Sequence, residues 1–149
     1  MNDSDKIKII AVNRKATFEY EILYRLEAGL VLTGTEVKSL REGRVNINDS
    51  YARINDNEVL LINSHISEYR FGNINNHDPL RDRKLLFHNR EIKKIKKDLE
   101  EKGLTMIPLK IYLKNSLIKI EMAICRGKKL YDKRESIKKR EVEIKLKRL

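Results

Sequence analysis

Cysteine is almost missing from this chain: among 149 residues only Cys125 carries a thiol, so no disulfide can close within one molecule and no paired-cysteine metal site can form. A reducing, cytoplasmic home is the simplest fit. Cys125 closes an alternating run and precedes Arg126, which is the place of a small strand-end residue, and no role is assigned to it. Long apolar runs are missing too. The longest, around Glu58-Val59-Leu60-Leu61-Ile62, fall far short of the ~20 residues of a membrane span. The start Met1-Asn2-Asp3-Ser4-Asp5-Lys6 lacks the pattern of a signal peptide, so neither insertion nor export is expected.

The signatures of catalysis are also absent. His65, His77 and His88 form no H-x-x-x-H or H-E-x-x-H arrangement, and there is no phosphate-binding glycine loop or G-x-S-x-G elbow. No enzymatic activity, metal or cofactor is therefore expected. One exception stays open: His77-Asp78 places a carboxylate beside a histidine, which a metal-dependent nuclease needs, although a loop-stabilising histidine explains the pair as well.

Acidic residues are scarce relative to basic ones, 22 against 33, for a formal charge of +11. Such an excess favours a polyanionic partner through long-range attraction and counterion release. It is unevenly spread. From Arg126 to Leu149 the net charge is +7, leaving +4 for the preceding residues. That last stretch has too few large apolar residues to offset its ordering entropy. The chain divides accordingly into a body, 1–126, and a basic tail, 127–149, expected to be disordered when free and to fold on an anionic partner. Asp132 with Glu135 three residues later supplies a helix start signal for the tail.

At 149 residues and 40% apolar content the body can hold one modest core. Phe18, Tyr20 and Ile22 alternate with glutamates, and Ile118, Ile120, Met122 and Ile124 alternate with Lys119, Glu121 and Ala123, which predicts half-buried strands. Leu109, Ile111 and Leu113 repeat the pattern, with Asn115-Ser116 as a hairpin turn between the two runs. Asn55-Asp56-Asn57 joins Tyr51-Ala52-Arg53-Ile54 to Val59-Leu60-Leu61-Ile62 in the same way. Two short helices are predicted, one from about Thr35 to Glu42 and one capped by Asn89 and stopped by Gly103, with Ile92, Ile95 and Leu99 on its inner face. The chain thus reads as mainly β with two short helices. About six antiparallel strands of this size suggest a small, closed or nearly closed barrel of the oligonucleotide-binding kind. A long polar connection from Tyr69 to Phe87 is a candidate functional loop, in which Arg81, Arg83 and Lys84 suit phosphates and Phe71 suits stacking on a base.

Particular strings then become informative. Gly29-Leu30-Val31-Leu32-Thr33-Gly34-Thr35-Glu36-Val37-Lys38-Ser39-Leu40-Arg41, Asn48-Asp49-Ser50-Tyr51, Asn76-His77-Asp78-Pro79, Arg83-Lys84-Leu85-Leu86, Pro108-Leu109 and Gly127-Lys128-Lys129-Leu130-Tyr131-Asp132-Lys133-Arg134-Glu135 resemble, in order and spacing, the SsrA-binding protein family, SmpB. The resemblance runs from about Asn13 to Arg140. It implies a six-stranded barrel that binds the transfer-RNA-like end of transfer-messenger RNA and enters stalled ribosomes with it. Elongation factor Tu belongs to the implied delivery complex, and the protein itself, taken as a cytoplasmic monomer, catalyses nothing. The resemblance further implies that the truncated product is tagged for proteolysis and the ribosome rescued.

By the same resemblance Asn13, Glu27, Leu86 and Lys119 fall at RNA-binding positions. The residues alone leave alternatives: Lys119 on the polar side of its strand can reach a phosphate, Leu86 equally suits core, Asn13 equally suits a turn, and Glu27 can accept from base amino groups or orient a neighbouring arginine. Gly127, Lys128 and Lys129 would join barrel to tail. Tyr131 would stack on RNA of the decoding centre, and Asp132-Lys133-Arg134 would begin a helix entering the messenger channel of the small subunit. Two departures from the family pattern are Glu68, where many relatives have proline, and the early end at Leu149, which puts the reach of the tail in question. A general RNA-binding module is the main competing reading.

Overall fold

The computed structural model describes residues 6–72 and 74–128; the expectations for Lys129, Tyr131, Asp132, Lys133, Arg134 and the rest of the tail lie outside them. The described chain runs β1 (Ile7–Val12), α1 (Ala16–Glu19), β2 (Tyr20–Leu30), α2 (Gly34–Arg41), β3 (Val45–Asn46), β4 (Tyr51–Asn55), β5 (Glu58–Ile62), β6 (His65–Ile66), β7 (Arg83–Leu86), α3 (Asn89–Glu100), β8 (Thr105–Lys114) and β9 (Leu117–Gly127). Seven strands form one antiparallel sheet in the order β1-β8-β9-β2-β7-β5-β4, and β3 pairs with β6 apart from it. The sheet curls until β4 lies alongside β8, yet no ladder among the described residues joins those two strands. The expected barrel is therefore an open, oligonucleotide-binding-like one, with β8, β9, β2, β7, β5 and β4 as its six staves and β1 added outside.

The inner face is set by the period of two along each strand. Ala28 pairs with Ile120 and Ile120 with Ile111, and with Leu61, Leu85, Met106, Met122 and Ile124 they make the main core, closed by Leu40 of α2 and Ile95 of α3. A second, smaller cluster lies on the opposite face of the same strands: Ala16 of α1 covers Ile107, Ala123 and Cys125. That explains why Met122, Ala123, Ile124 and Cys125 are buried in an unbroken run. The Cys125 Sγ donates to the Thr105 carbonyl at 3.4 Å, and burial pushes its thiol up to about 12, so it is inert packing.

Four expectations are corrected. There are three helices among the described residues, not two: Phe18 does not open a strand but sits in α1, its amide donating to Lys15 O. β2 is longer than the alternation at Tyr20 and Ile22 indicated, because the alternation continues through Tyr24 and Leu26 after a register shift between Ile22 and Tyr24. The cap of α3 is His88, not Asn89; the His88 amide donates to Glu91 Oε1 at 2.9 Å. In β8 an irregularity between Pro108 and Lys110 breaks the pairing with β9, so Pro108 and Ile111 are buried and Leu109 and Leu113 only partly so. Proline has no amide to give to a ladder, and a bulge accommodates it. The hairpin after β8 is as expected: Asn115 and Ser116 both have positive φ, 51° and 70°, the conformation that lets a two-residue loop match the twist of its strands.

Ser39 of α2 is fully buried, and its Oγ has no hydrogen-bond partner among the described residues. Ser39→Ala removes an unsatisfied group and favours the helix. The expected result is a gain of about 1 kcal/mol in urea unfolding, seen as a higher midpoint at unchanged slope.

Candidate nucleic-acid interface

The registers of the central strands bring separate parts of the chain into one row. Gly29 of β2 stands opposite Leu86 of β7 on one side and Lys119 of β9 on the other, and Lys119 stands opposite Tyr112 of β8. Directly opposed residues share a face. Since the adjacent row, Ala28 and Ile120, is core, this one lies on the outer face of the sheet, where Tyr112 is nonetheless covered and buried. Leu86 is 50% exposed, which decides between the two readings left open by the sequence: it is surface, not core. Gly29 leaves a gap in the row, and a Cβ there would lie 3.5 Å from Leu86. Around the gap runs a shallow groove, bounded by Val37 and Arg41 of α2 on one side and by Glu27, His88 and Glu91 on the other.

Glu27 lies two residues before Gly29 on the same face. The Tyr112 hydroxyl donates to its Oε2, and Lys114 Nζ lies 3.6 Å from the same atom. The cation beside Glu27 is thus a lysine rather than the arginine considered from sequence. Burial, and then the bond to Glu27, hold the Tyr112 phenol above its usual range, so the hydroxyl remains a donor that fixes the carboxylate. Lys84 joins this face two residues before Leu86, with Nζ 3.5 Å from Glu58.

Asn13 is elsewhere. It is buried, its Nδ2 donates to Pro108 O at 2.9 Å and its Oδ1 accepts from Lys15 N at 3.1 Å. These bonds tie the turn after β1 to the irregularity in β8, which is the turn role that the sequence had left open. At the far end of β9, Gly127 makes the last pair of the strand with Tyr20. Lys128 N donates to Glu19 O and Lys128 Nζ to Thr17 O, both at 2.9 Å, so the root of the tail is anchored on α1.

The long connection after β6 holds a buried polar network that sequence reasoning did not foresee. Arg83, expected to meet phosphate, is fully buried: its Nε and Nη2 reach Glu36 Oε2 at 2.6 Å, and its Nη1 donates to Ser64 O, Ser64 Oγ and Pro79 O. Arg81 Nη2 donates to Glu36 Oε1 at 2.6 Å and to Val31 O at 3.2 Å. Glu36 also accepts from the Thr33 amide at 2.8 Å, completing a capping box at the start of α2. Burial alone would raise this carboxyl, but the bonds from Arg81, the Thr33 amide and Arg83 override it and hold Glu36 at about 2. His77 belongs to the same region. Its Nε2 lies 2.8 Å from Ile66 O and its Nδ1 2.8 Å from Thr35 Oγ1. A carbonyl only accepts, so Nε2 donates and, in the neutral ring, Nδ1 accepts from the hydroxyl. With both nitrogens occupied and the ring buried, the nuclease reading loses its histidine. Phe71 remains 76% exposed, with the Tyr69 ring at 5.6 Å and the Arg70 guanidinium at 5.7 Å.

The signal for this network was in the sequence as Thr33-x-x-Glu36 and as Arg83 in phase with Leu85. Two of the strings that carried the resemblance serve both purposes: Glu36 and Arg83 join His77 in the buried network, while Gly29 and Leu86, from those same two strings, line the groove.

The family model described as SmpB protein matches residues 10–149. The SsrA-binding protein of Caldicellulosiruptor saccharolyticus is 54% identical over 147 residues, covering 99% of this chain and 93% of its own. That of Thermoanaerobacter pseudethanolicus is 56% identical over 142 residues, covering 95% and 91%. A solved chain from the structure "tmRNA-SmpB: a journey to the center of the bacterial ribosome" superposes with a TM-score of 0.68 at 44% identity, covering 85% of this chain and 93% of that one. Near-complete coverage at such identity, together with the open oligonucleotide-binding-like barrel, shows that this chain belongs to the SmpB family.

Proposed function

We propose that the protein binds the transfer-RNA-like end of transfer-messenger RNA through the groove at Gly29, Leu86, Lys119 and Glu27 and delivers that RNA to stalled ribosomes. The observation that carries the reading is the convergence of three strands on one outward row in a member of this family. Chemically the row offers what a folded RNA needs: a gap at Gly29 where backbone can approach closely, an apolar side chain for a sugar or base face, and a lysine for a phosphate beside a carboxylate for base amino groups. Asn13 supports the row from a distance by holding β1 to β8. Gly127 and Lys128 anchor the tail, and Lys129, Tyr131, Asp132, Lys133 and Arg134 are assigned to the decoding centre and messenger channel. Elongation factor Tu joins the delivery complex, the working form is a monomer in the cytoplasm, and the reactions are performed by its partners.

The test pairs Leu86→Asp, at an exposed position, with Lys119→Glu, at a half-buried one. Affinity for the isolated transfer-RNA-like end should fall roughly 100-fold, the sum of a lost apolar contact and a reversed phosphate contact at about 1–3 kcal/mol each, while Tm is unchanged. Equal losses on this RNA and on an unrelated hairpin would instead mark a general RNA-binding module.

A further inference from the structure

The groove has too little charge for the task just given to it. Its cations are Arg41 and Lys119, and its carboxylates are Glu27 and Glu91, so its lining is close to neutral at pH 7. A polyanion held there must be neutralised from the rim.

The rim has such a source. α3 starts at the groove, where His88 and Glu91 line it, and its inner face is fixed by Ile92, Ile95 and Leu99 packing on the core. Arg90, Lys93, Lys94 and Lys97 recur at i, i+3, i+4 and i+7 on the opposite side, and all four are exposed. None of them has a carboxylate within ion-pair distance among the described residues, whereas Lys15, Arg70, Lys84, Lys102, Lys114 and Arg126 each do. Lys94 lies over the Tyr24 ring at 4.2 Å. Stability does not explain the arrangement. Like charges at these spacings repel, and Arg90 in the first turn opposes the helix dipole, although Lys97 in the last turn suits it. At 1.5 Å per residue the stripe is about 10 Å long, and it leads from the groove rim along the helix.

Resting on the groove reading, we infer that the Arg90, Lys93 and Lys97 face of α3 is a phosphate track for the same RNA whose end is seated in the groove. Lys94 braces the helix on Tyr24. The track acts on backbone phosphates, so it contributes affinity and salt dependence without reading sequence.

The experiment uses the full chain with Arg90, Lys93 and Lys97 all changed to glutamine, which keeps the helix. Binding of the transfer-RNA-like end is titrated from low to high salt. The expected result is weaker binding and a slope of log K against log salt shallower by about 2 to 3, as for three lost phosphate contacts, with discrimination against an unrelated hairpin retained and Tm not lowered. An unchanged slope overturns the inference, and so does an unchanged slope combined with loss of ribosome association, which would give the stripe to ribosomal RNA. The groove variant separates the two readings: if Leu86→Asp with Lys119→Glu abolishes binding while the glutamine variant keeps its full slope, the groove stands and the track falls. If the groove variant binds normally, the groove itself is wrong.

Discussion

Glu36→Gln is expected to cost about 3–5 kcal/mol of folding stability, a large part of the 5–15 kcal/mol typical of a domain. The amide keeps the shape but leaves the fully buried Arg83 guanidinium without a counter-charge, loosens Arg81 and weakens the cap of α2. Removing both charges, with Glu36→Leu and Arg83→Met, should cost less than the single change, because no unpaired ion stays inside. Urea unfolding of the three proteins measures this; a Glu36→Gln protein as stable as the parent would show that the network is not a stability element. The pH dependence has a definite sign. Glu36 titrates at about 2 in the folded state, below its ordinary value of 4.5, so its contribution is complete above about pH 4.5 and is lost as pH falls towards 2. The parent should lose stability across that window, and Glu36→Gln should lack this component of the loss.

Replacing Tyr131, Asp132, Lys133 and Arg134 together by alanine is expected to abolish tagging of truncated products on stalled ribosomes while leaving affinity for the transfer-RNA-like end unchanged. The expectation rests on the proposed division of labour: the groove lies at the start of β9 and the tail root at its end. A truncation making the same point should follow Lys128 rather than Arg126, since Gly127 still pairs with Tyr20 and Lys128 still bonds α1. Tagging in a reconstituted translation system and RNA binding at fixed salt are the two measurements. Normal tagging by the substituted protein would reduce the tail to a solubilising appendage.

Much of this was legible in the sequence, and the exceptions have physical reasons. Alternation along Ile118 to Ile124 gave β9, and the inner stripe of Ile92, Ile95 and Leu99 gave α3, because in both one face meets one core. Where the chain is covered on both sides, as from Met122 to Cys125 beneath α1, or irregular, as at Pro108, period alone misplaces the inner face. α1 was missed because four residues carry too little pattern to register. In the candidate site, Lys119 and Leu86 were named by the family resemblance, but their neighbouring places across Gly29 depend on strand registers that no local signal encodes. Arg83 was misread for the opposite reason. A cation in a polar loop suits a phosphate until tertiary structure supplies a buried carboxylate 47 residues away in sequence.

β9 carries one further consequence. It is paired with β2 from Lys119 to Gly127 and with β8 from Leu117 to Cys125, and eight residues of it separate Lys119 from Gly127, about 26 Å at strand rise. A flexible linker of the same length would average roughly 15 Å and sample a broad range. Held between two neighbours, the strand acts as a gauge. If RNA is seated in the proposed groove at Lys119, the strand sets how far from it the root of the tail at Gly127 lies.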